Sequence, residues 1–174
     1  MRRTLVGLVA LGLVALGGPV GPVEAEEATR CTFTFDVTLA PGLALSGSSG
    51  THSSGGAVPT LDCKGPVNGK LPTGLGALGD EGDYGTVDPD DCLSGGEGTG
   101  IDSITVPTAD GLQEITSPFT FTYGELSTKG GGIVAGRFEG SRFTGTFEFT
   151  PTEGDCVTEP VTKARVTGEG FLHD

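Results

Sequence analysis

The chain has 174 residues and a formal net charge of −13 at pH 7, with 10 lysine and arginine side chains against 23 acidic ones. Negative charge on this scale repels phosphates, so we expect no nucleic acid partner and no attraction to anionic lipid. The 32 glycines and 11 prolines lie between stretches of alternating apolar and polar residues. This pattern indicates turns in a folded β protein and excludes a low-complexity disordered chain.

Residues 1–25 have the parts of a secretory leader. Arg2 and Arg3 form a positive start, an apolar run follows from Leu5 to Leu16, and small residues end at Ala25. We therefore expect export, cleavage after Ala25 and a secreted, extracellular mature domain. The apolar run is shorter than the roughly 20 residues that cross a bilayer as a helix, and no later run approaches that length. The mature domain is accordingly expected to have no stable membrane insertion.

Alternation of apolar and polar residues predicts the strands in chain order. Cys31 to Leu39 alternate strictly, which indicates a half-buried strand. The Ser/Gly-rich segment 46–56, which contains His52, is predicted to be an exposed loop, and so is the acidic stretch from Asp80 to Asp91. Further strands are predicted over 57–64, 68–78, 98–106 and 113–123, with a hairpin over 132–150 and a last strand over 161–172.

The hairpin can be placed in register from its turn. Gly140-Ser141 suits a two-residue turn with glycine in the first central position. Phe138 would then face Phe143, and Gly136 would face Gly145. One face of the hairpin would collect the apolar side chains and the other would carry arginine, threonine and glutamate; the apolar set is Val134, Phe138, Phe143, Phe147 and Phe149.

The fold class predicted from these strands is all-β. No segment after the leader has an apolar stripe at helical spacing, so residues 26–174 are predicted to form a single domain of about eight antiparallel strands. Such a domain can be an up-and-down barrel or a two-sheet sandwich. The facing glycines at 136 and 145 favour a curved sheet, and hence the barrel slightly over the sandwich.

Four cysteines are predicted to form two disulfides. An even number of cysteines in an exported domain indicates disulfides, and no Cys-x-x-Cys pair suggests zinc or redox chemistry. A long antiparallel hairpin would set Cys31 beside Cys63, which leaves Cys92 with Cys156. This pairing is preferred over Cys31 with Cys156 and Cys63 with Cys92, an alternative that the sequence leaves open.

The mature chain offers few groups for catalysis. Its two histidines are His52 and His173, and neither has a neighbour in sequence that would orient it as a general acid or base. No Gly-x-Ser-x-Gly nucleophile motif is present. We therefore assign no catalytic residue, expect no cofactor and predict that the protein is not an enzyme. Two carboxylates flanking a cleft would be the remaining route to hydrolysis.

The acidic stretch is the candidate metal site. Hard cations take clustered oxygen ligands, and the candidate calcium ligands are Asp80, Asp83, Asp88 and Asp90. Their spacing does not match a helix-loop-helix calcium motif. Because charge runs usually remain solvated, a solvated acidic loop is the preferred interpretation and no metal is predicted.

Two stretches around the later cysteines resemble a known group of proteins. Cys-Leu-Ser-Gly-Gly-Glu-Gly at 92–98 and Thr-Pro-Thr-Glu-Gly-Asp-Cys at 150–156, which continues to Gly168, are similar to small secreted four-cysteine proteins of uncharacterised function from actinobacteria. The resemblance covers nearly all of the mature chain. It implies export and a single domain, and it carries over no functional residues.

The function predicted from the sequence is binding. The apolar residues alternate regularly and there are few candidate catalytic side chains. These two features favour a secreted, non-enzymatic β protein that binds a small apolar ligand or an extracellular protein partner. A closed sheet of about eight strands has room for packed side chains or for one small ligand. Two alternatives stay open, namely a small extracellular hydrolase that uses carboxylates and a structural component of the cell envelope or matrix.

Overall fold

The computed structural model describes residues 29–125, 130–138 and 141–173. The predicted leader and Gly140 of the predicted hairpin turn lie outside these ranges. Within them the regular structure is antiparallel β. The strands are β1 (Thr29–Leu43), β2 (Gly50–Ser53), β3 (Val58–Lys64), β4 (Gly76–Tyr84), β5 (Gly96–Thr108), β6 (Gly111–Tyr123), β7 (Gly130–Phe138), β8 (Ser141–Glu153) and β9 (Val161–His173).

The strands form one sheet that closes into a ring. From β3 to β9 each strand pairs with the next, β1 pairs with β3, and β1 also pairs with β9. The short β2 lies between β1 and β4 at one end of the ring, and β3 lies between them at the other end. The prediction of an all-β antiparallel fold is confirmed. The structure describes nine strands where about eight were predicted. They form one closed sheet and not the two packed sheets of the sandwich alternative.

The period-2 alternation decides which side chains face the interior. Along β1 the side chains of Phe35, Val37 and Leu39 are buried, while the intervening Asp36 and Thr38 are exposed. A closed sheet has a single inner face, so the inward side chains of all strands pack into one core. Full burial of each large apolar side chain contributes about 1.5–3 kcal/mol.

Two segments differ from the sequence prediction. The segment 46–56 contains β2, and His52 is buried in it instead of exposed. The first part of the predicted acidic loop belongs to β4, so Asp80 and Asp83 are strand residues, and the strand predicted over 68–78 is reduced to its last three residues. In each case pairing with distant strands decides the local structure, and the local pattern contains no information about that pairing.

The β7–β8 hairpin has the predicted inner face in a different register. Phe138 pairs with Ser141 and Gly136 pairs with Phe143, so the predicted pairs of Phe138 with Phe143 and Gly136 with Gly145 are wrong by two residues. A shift of two keeps each side chain on its predicted face because the strand repeat is two residues. The described apolar side chains of that face are indeed buried or half-buried; they are Val134, Phe143, Phe147 and Phe149.

Phenylalanine rings of the interior lie over glycines of neighbouring strands. Gly136 is opposite Phe143, and a Cβ added at Gly136 would lie 2.2 Å from Cε1 of that ring. The glycines therefore provide the space that the inward rings occupy, in addition to allowing the sheet to curve. The other pairs of this kind are Phe33 with Gly168, Phe119 with Gly100, Phe121 with Gly98 and Phe147 with Gly132.

Two disulfides link the strands and the loops, in the pairing that the sequence favoured. Cys31 bonds to Cys63, and the two residues are opposite each other on β1 and β3. Cys92 bonds to Cys156 and so joins the loop after β4 to the loop before β9. By the chain-entropy argument, bridges of this span each contribute roughly 4 kcal/mol to stability.

The same aspartate side-chain hydrogen bonds flank both cysteines of the second disulfide. Oδ1 of Asp91 accepts hydrogen bonds from the second and third backbone N–H groups after it, and Oδ2 accepts one from the hydroxyl of Ser94. Asp155 accepts the equivalent bonds, the last from the hydroxyl of Thr158. These bonds lower the pKa of Asp91, and they lower that of Asp155 to about 2. The repeated sequence Asp-Cys-x-Ser/Thr thus forms the same aspartate-centred hydrogen bonds at each end of the bond, while the backbone differs, since φ of Cys156 is +68° and that of Cys92 is not positive.

We expect Gly136→Ala to destabilise the fold by about 1–3 kcal/mol, because the added Cβ would displace the ring of Phe143. Gly170→Ala is the matched control, since Gly170 also lines the interior but its Cβ would come no closer than 3.6 Å to the carbonyl oxygen of Thr144. The control should change the free energy of unfolding by less than about 0.5 kcal/mol. Urea unfolding measures both, and equal losses would contradict the role of Gly136.

Candidate functional site

The closed sheet contains a cavity of about 150 Å³. All nine strands contribute to its wall, which consists mainly of phenylalanine, leucine, valine and isoleucine side chains. Cys31 and Cys63 of the first disulfide also line it. An engineered apolar cavity of about 150 Å³ in another protein stays dry and binds benzene. The interior of this sheet therefore has space for a small ligand.

Three polar side chains meet inside this apolar interior. They are His52 of β2, Asp80 of β4 and Asp102 of β5, with exposed fractions of 7%, 9% and 9%. Asp80 and Asp102 are directly opposite each other on paired strands, and Nε2 of His52 lies 3.4 Å from Oδ1 of Asp80. All three line the cavity. We call these three residues the polar cluster.

Backbone pairing places His52 in the polar cluster. β2 is hydrogen-bonded to β1 on one side and to β4 on the other, where His52 is opposite Gly82. A Cβ at Gly82 would lie 2.8 Å from Cε1 of His52, so this glycine leaves the space that the imidazole needs. Ser54 anchors the end of β2, because its N–H donates to the carbonyl oxygen of Asp80 and its hydroxyl accepts from the Asp80 N–H.

Aromatic rings fix the orientation of the imidazole. The centroid of the Phe121 ring lies 5.3 Å from that of His52, with the two planes nearly perpendicular. The Phe119 ring lies on the same side of the cavity, 6.2 Å from His52 between centroids. Edge-to-face contacts of this kind are favourable and restrict rotation of the ring. The histidine is therefore held in the cavity wall by packing.

Several atoms of the polar cluster lack a hydrogen-bond partner. Among the residues that the structure describes, neither ring nitrogen of His52 has one, and neither does Oδ1 of Asp80, since the 3.4 Å approach of Nε2 to Oδ1 does not form a hydrogen bond. Buried polar atoms are usually paired, because an unpaired one costs about 1–3 kcal/mol. The unpaired atoms lie at the cavity, where a bound molecule can reach them.

Burial shifts the pKa values of all three residues toward their uncharged forms. Desolvation raises the pKa of Asp80 to about 7, with a smaller contribution from the charge of Glu81. Desolvation also raises the pKa of Asp102 to about 8, and the neighbouring Asp80 adds to this effect. The pKa of His52 is lowered by desolvation to about 4, against a smaller opposing effect of Asp83. At about pH 6 the polar cluster therefore consists of a neutral imidazole and two carboxylic acids.

A second group of buried polar side chains lies where β4 and β6 end. The hydroxyl of Tyr123 donates to Oδ2 of Asp90 at 2.8 Å, and the backbone N–H of Glu97 donates to Oδ1 at 3.1 Å. The hydroxyl of Tyr84 donates to the carbonyl oxygen of Pro41. Both carboxylate oxygens of Asp90 are therefore bonded, and this group holds the loop after β4 against the sheet. Its role is structural.

The candidate calcium ligands do not come together. Asp80 and Asp83 lie on opposite faces of β4, because residues three apart in a strand alternate in direction. Asp88 is exposed in the following loop, and Asp90 is buried against Tyr123. In the described ranges, no group of three or more His, Cys, Asp or Glu side chains could hold a metal ion.

The other histidine lies outside the cavity. Nε2 of His173 is 3.3 Å from the hydroxyl oxygen of Thr144, and both side chains are exposed.

Sequence reasoning did not find the polar cluster, because it placed His52 and Asp80 in loops and did not single out Asp102. One signal was present: Asp102 occupies the same face as Ile104 and Val106 in an alternating strand, and an acidic residue on an apolar face marks a buried polar position.

No protein-family model matches the chain, and no curated protein or solved structure shows significant similarity to it. A search of the described part of the chain finds no helix with the length and hydrophobicity to span a membrane. The two disulfides are consistent with an oxidising, extracellular compartment. Arguments about function therefore rest on the cavity and the polar cluster.

The free energy of unfolding is expected to fall as pH rises from about 5 to 8. Asp80 and Asp102 keep their protons in the folded chain up to pKa values of about 7 and 8, whereas unfolded aspartate ionises near pH 4. The folded state then binds more protons, so stability decreases with pH. His52 acts in the opposite direction, but only between its folded pKa of about 4 and its ordinary value of 6.5.

Asp102→Asn should reduce this slope by up to about 1.4 kcal/mol per pH unit. The new side chain does not titrate, so the folded chain holds one proton more than the unfolded chain instead of two. Asp83→Asn, on the outer face of β4, is the control and should leave the slope unchanged. Urea unfolding at pH 5, 6, 7 and 8 measures the effect. A wild-type stability that rises between pH 6.5 and 8 would show that the buried aspartates are ionised.

Proposed function

We propose that the protein is a secreted, non-enzymatic binding protein that holds a small apolar ligand inside its closed sheet. The observation that carries the proposal is the cavity of about 150 Å³, whose wall is apolar apart from the polar cluster and the tyrosines Tyr84 and Tyr123. Ligand sites typically combine apolar walls with a few polar groups that orient the ligand. The cavity has this composition.

The cavity volume limits the size of the ligand. Sites for drug-sized molecules are typically about 300–1,000 Å³, so a cavity of about 150 Å³ is suited to a smaller molecule. A substituted benzene ring is of suitable size, because an engineered cavity of about this volume binds benzene. Such a ligand would contact the inward phenylalanines and the aliphatic side chains of the wall.

A carboxylate-dependent hydrolase is the second candidate. Asp80 and Asp102 are adjacent carboxyls with raised pKa values, and a raised pKa is what a general acid requires. A glycosidase, however, needs its two carboxyls on either side of a groove that admits both sugar and water. These two carboxyls are neighbours on one side of an apolar interior, which supports binding over hydrolysis.

Secretion is supported by the leader pattern of residues 1–25 and by the two disulfides. Intact mass spectrometry of the protein from culture supernatant is expected to show a chain that begins at Glu26. Its mass should be lower by four hydrogens than that of the reduced chain. A retained leader or four free thiols would contradict the proposed localisation.

Val134→Phe is expected to abolish binding of benzene, because Val134 lines the cavity and the larger ring would occupy it. The adjacent Ile133 is 61% exposed on the outer face, so Ile133→Phe is a matched control that should retain affinity within about twofold. Binding is measured by NMR shifts of inward methyl groups and by thermal stabilisation at saturating benzene. A wild-type protein that does not respond to benzene, or equal binding by both variants, would overturn the proposal.

A further inference from the structure

The polar cluster indicates which chemical class of ligand the cavity takes. Two carboxyls face each other on paired strands, and beside them the nine-tenths buried His52 has two ring nitrogens without a hydrogen-bond partner. We propose that the polar cluster binds the protonated amino group of a small hydrophobic amine whose apolar part fills the cavity. The inference rests on the proposed function, since it requires the cavity to hold a ligand.

The cavity wall contains no permanently positive side chain to match the two carboxyls. No lysine or arginine is among the residues that line the cavity. Lysine and arginine of the described residues form exposed ion pairs instead; these include Arg30–Glu169, Lys64–Asp62, Lys70–Asp110, Lys163–Glu153 and Arg165–Asp36. Ionised carboxyls directly opposite each other on a sheet repel, and a nearby cation removes that repulsion. A cation that enters the cavity would therefore bind at Asp80 and Asp102.

Each of the three residues of the polar cluster can offer an acceptor to an ammonium group. Oδ1 of Asp80 is an unpaired acceptor, and a neutral imidazole offers one acceptor nitrogen at His52. The carboxyl of Asp102, on the adjacent strand, supplies the third acceptor. An ammonium group carries three N–H donors and no acceptor, so it can donate one hydrogen bond to each residue. A neutral alcohol has one O–H donor, so it can donate to only one of the three residues.

An organic cation fits the surroundings better than a metal ion. In the part of the chain that the structure describes, no three His, Cys, Asp or Glu side chains are arranged to hold a metal. The rest of the wall is apolar, whereas hard cations need about six or more oxygen ligands. The rings of Phe119 and Phe121 lie beside His52, where they would attract a cationic head group and contact an apolar body.

The test uses three ligands of similar shape. Benzylamine has an aromatic ring of the size that such a cavity holds and an amino group that is charged at pH 7.5. Ethylbenzene has the same outline without nitrogen, and benzyl alcohol carries a hydroxyl in its place. Isothermal titration calorimetry of the full secreted chain at pH 7.5 gives the affinity for each.

Benzylamine is expected to bind at least about tenfold more tightly than either neutral ligand, in keeping with the strength of charge-assisted hydrogen bonds. Asp80→Asn and Asp102→Asn should each weaken benzylamine binding by at least about tenfold while changing ethylbenzene affinity by less than about threefold. Asp83→Asn, on the outer face of β4, is the control and should change neither affinity.

Proton release is a second readout. At pH 7.5 burial leaves the two carboxyls partly protonated, since their pKa values are about 7 and 8, and a bound ammonium group would drive their ionisation. Benzylamine should therefore release up to about one proton, seen as a dependence of the binding enthalpy on the buffer, whereas ethylbenzene should release none. The other titratable groups of the cavity wall are His52, Tyr84 and Tyr123, and Glu81 and Asp83 lie on the outer face of β4.

The outcomes separate this inference from the proposed function. If ethylbenzene binds and benzylamine binds no more tightly, the amine inference is wrong and binding in the cavity stands. If benzyl alcohol equals benzylamine, recognition does not depend on charge and the inference is also wrong. If no ligand binds, the proposed function fails. If one aspartate variant does not fold, the other variant and the three wild-type affinities still test the amine inference.

Discussion

The interior of this protein depends on the pairing of β1 with β9, which joins the first strand to the last. The pairs run from Thr29 with Leu172 to Leu43 with Val161, and they remove the edges that both strands would otherwise expose. Closure leaves a single inner face, so inward side chains from all strands compete for one volume. Phenylalanine rings that lie over glycines of adjacent strands share this volume with aliphatic side chains, and the space that they leave is the cavity.

The same apolar interior that stabilises the phenylalanines opposes charge on the polar cluster. Desolvation is the main cause of the shifted pKa values of His52, Asp80 and Asp102, so the polar cluster is close to neutral at mildly acidic pH. Unpaired polar atoms in a core lower stability, and proteins retain them mainly where function requires them. Two disulfides, one of which lines the cavity, contribute the stability that offsets this cost.

Local patterns were sufficient for part of the fold. Alternation from Cys31 to Leu39 predicted the buried face of β1, and the inner face of the β7–β8 hairpin was right although its register was wrong by two residues. A two-residue shift is invisible to the alternation because the strand repeat is two. The pairing of Cys31 with Cys63 followed from the antiparallel arrangement of two strands that are close in sequence.

The sequence by itself determined the β class, the direction of most strand side chains and the preferred disulfides, because these depend on residues that are near one another or repeat with a short period. Only the tertiary structure decided the polar cluster. Nothing in the Ser/Gly-rich stretch around His52 shows that β2 pairs with β1 and β4, and that pairing brings the imidazole to Asp80. The cavity is likewise a property of the closed ring, since it is the volume that the inward side chains of nine strands together do not fill.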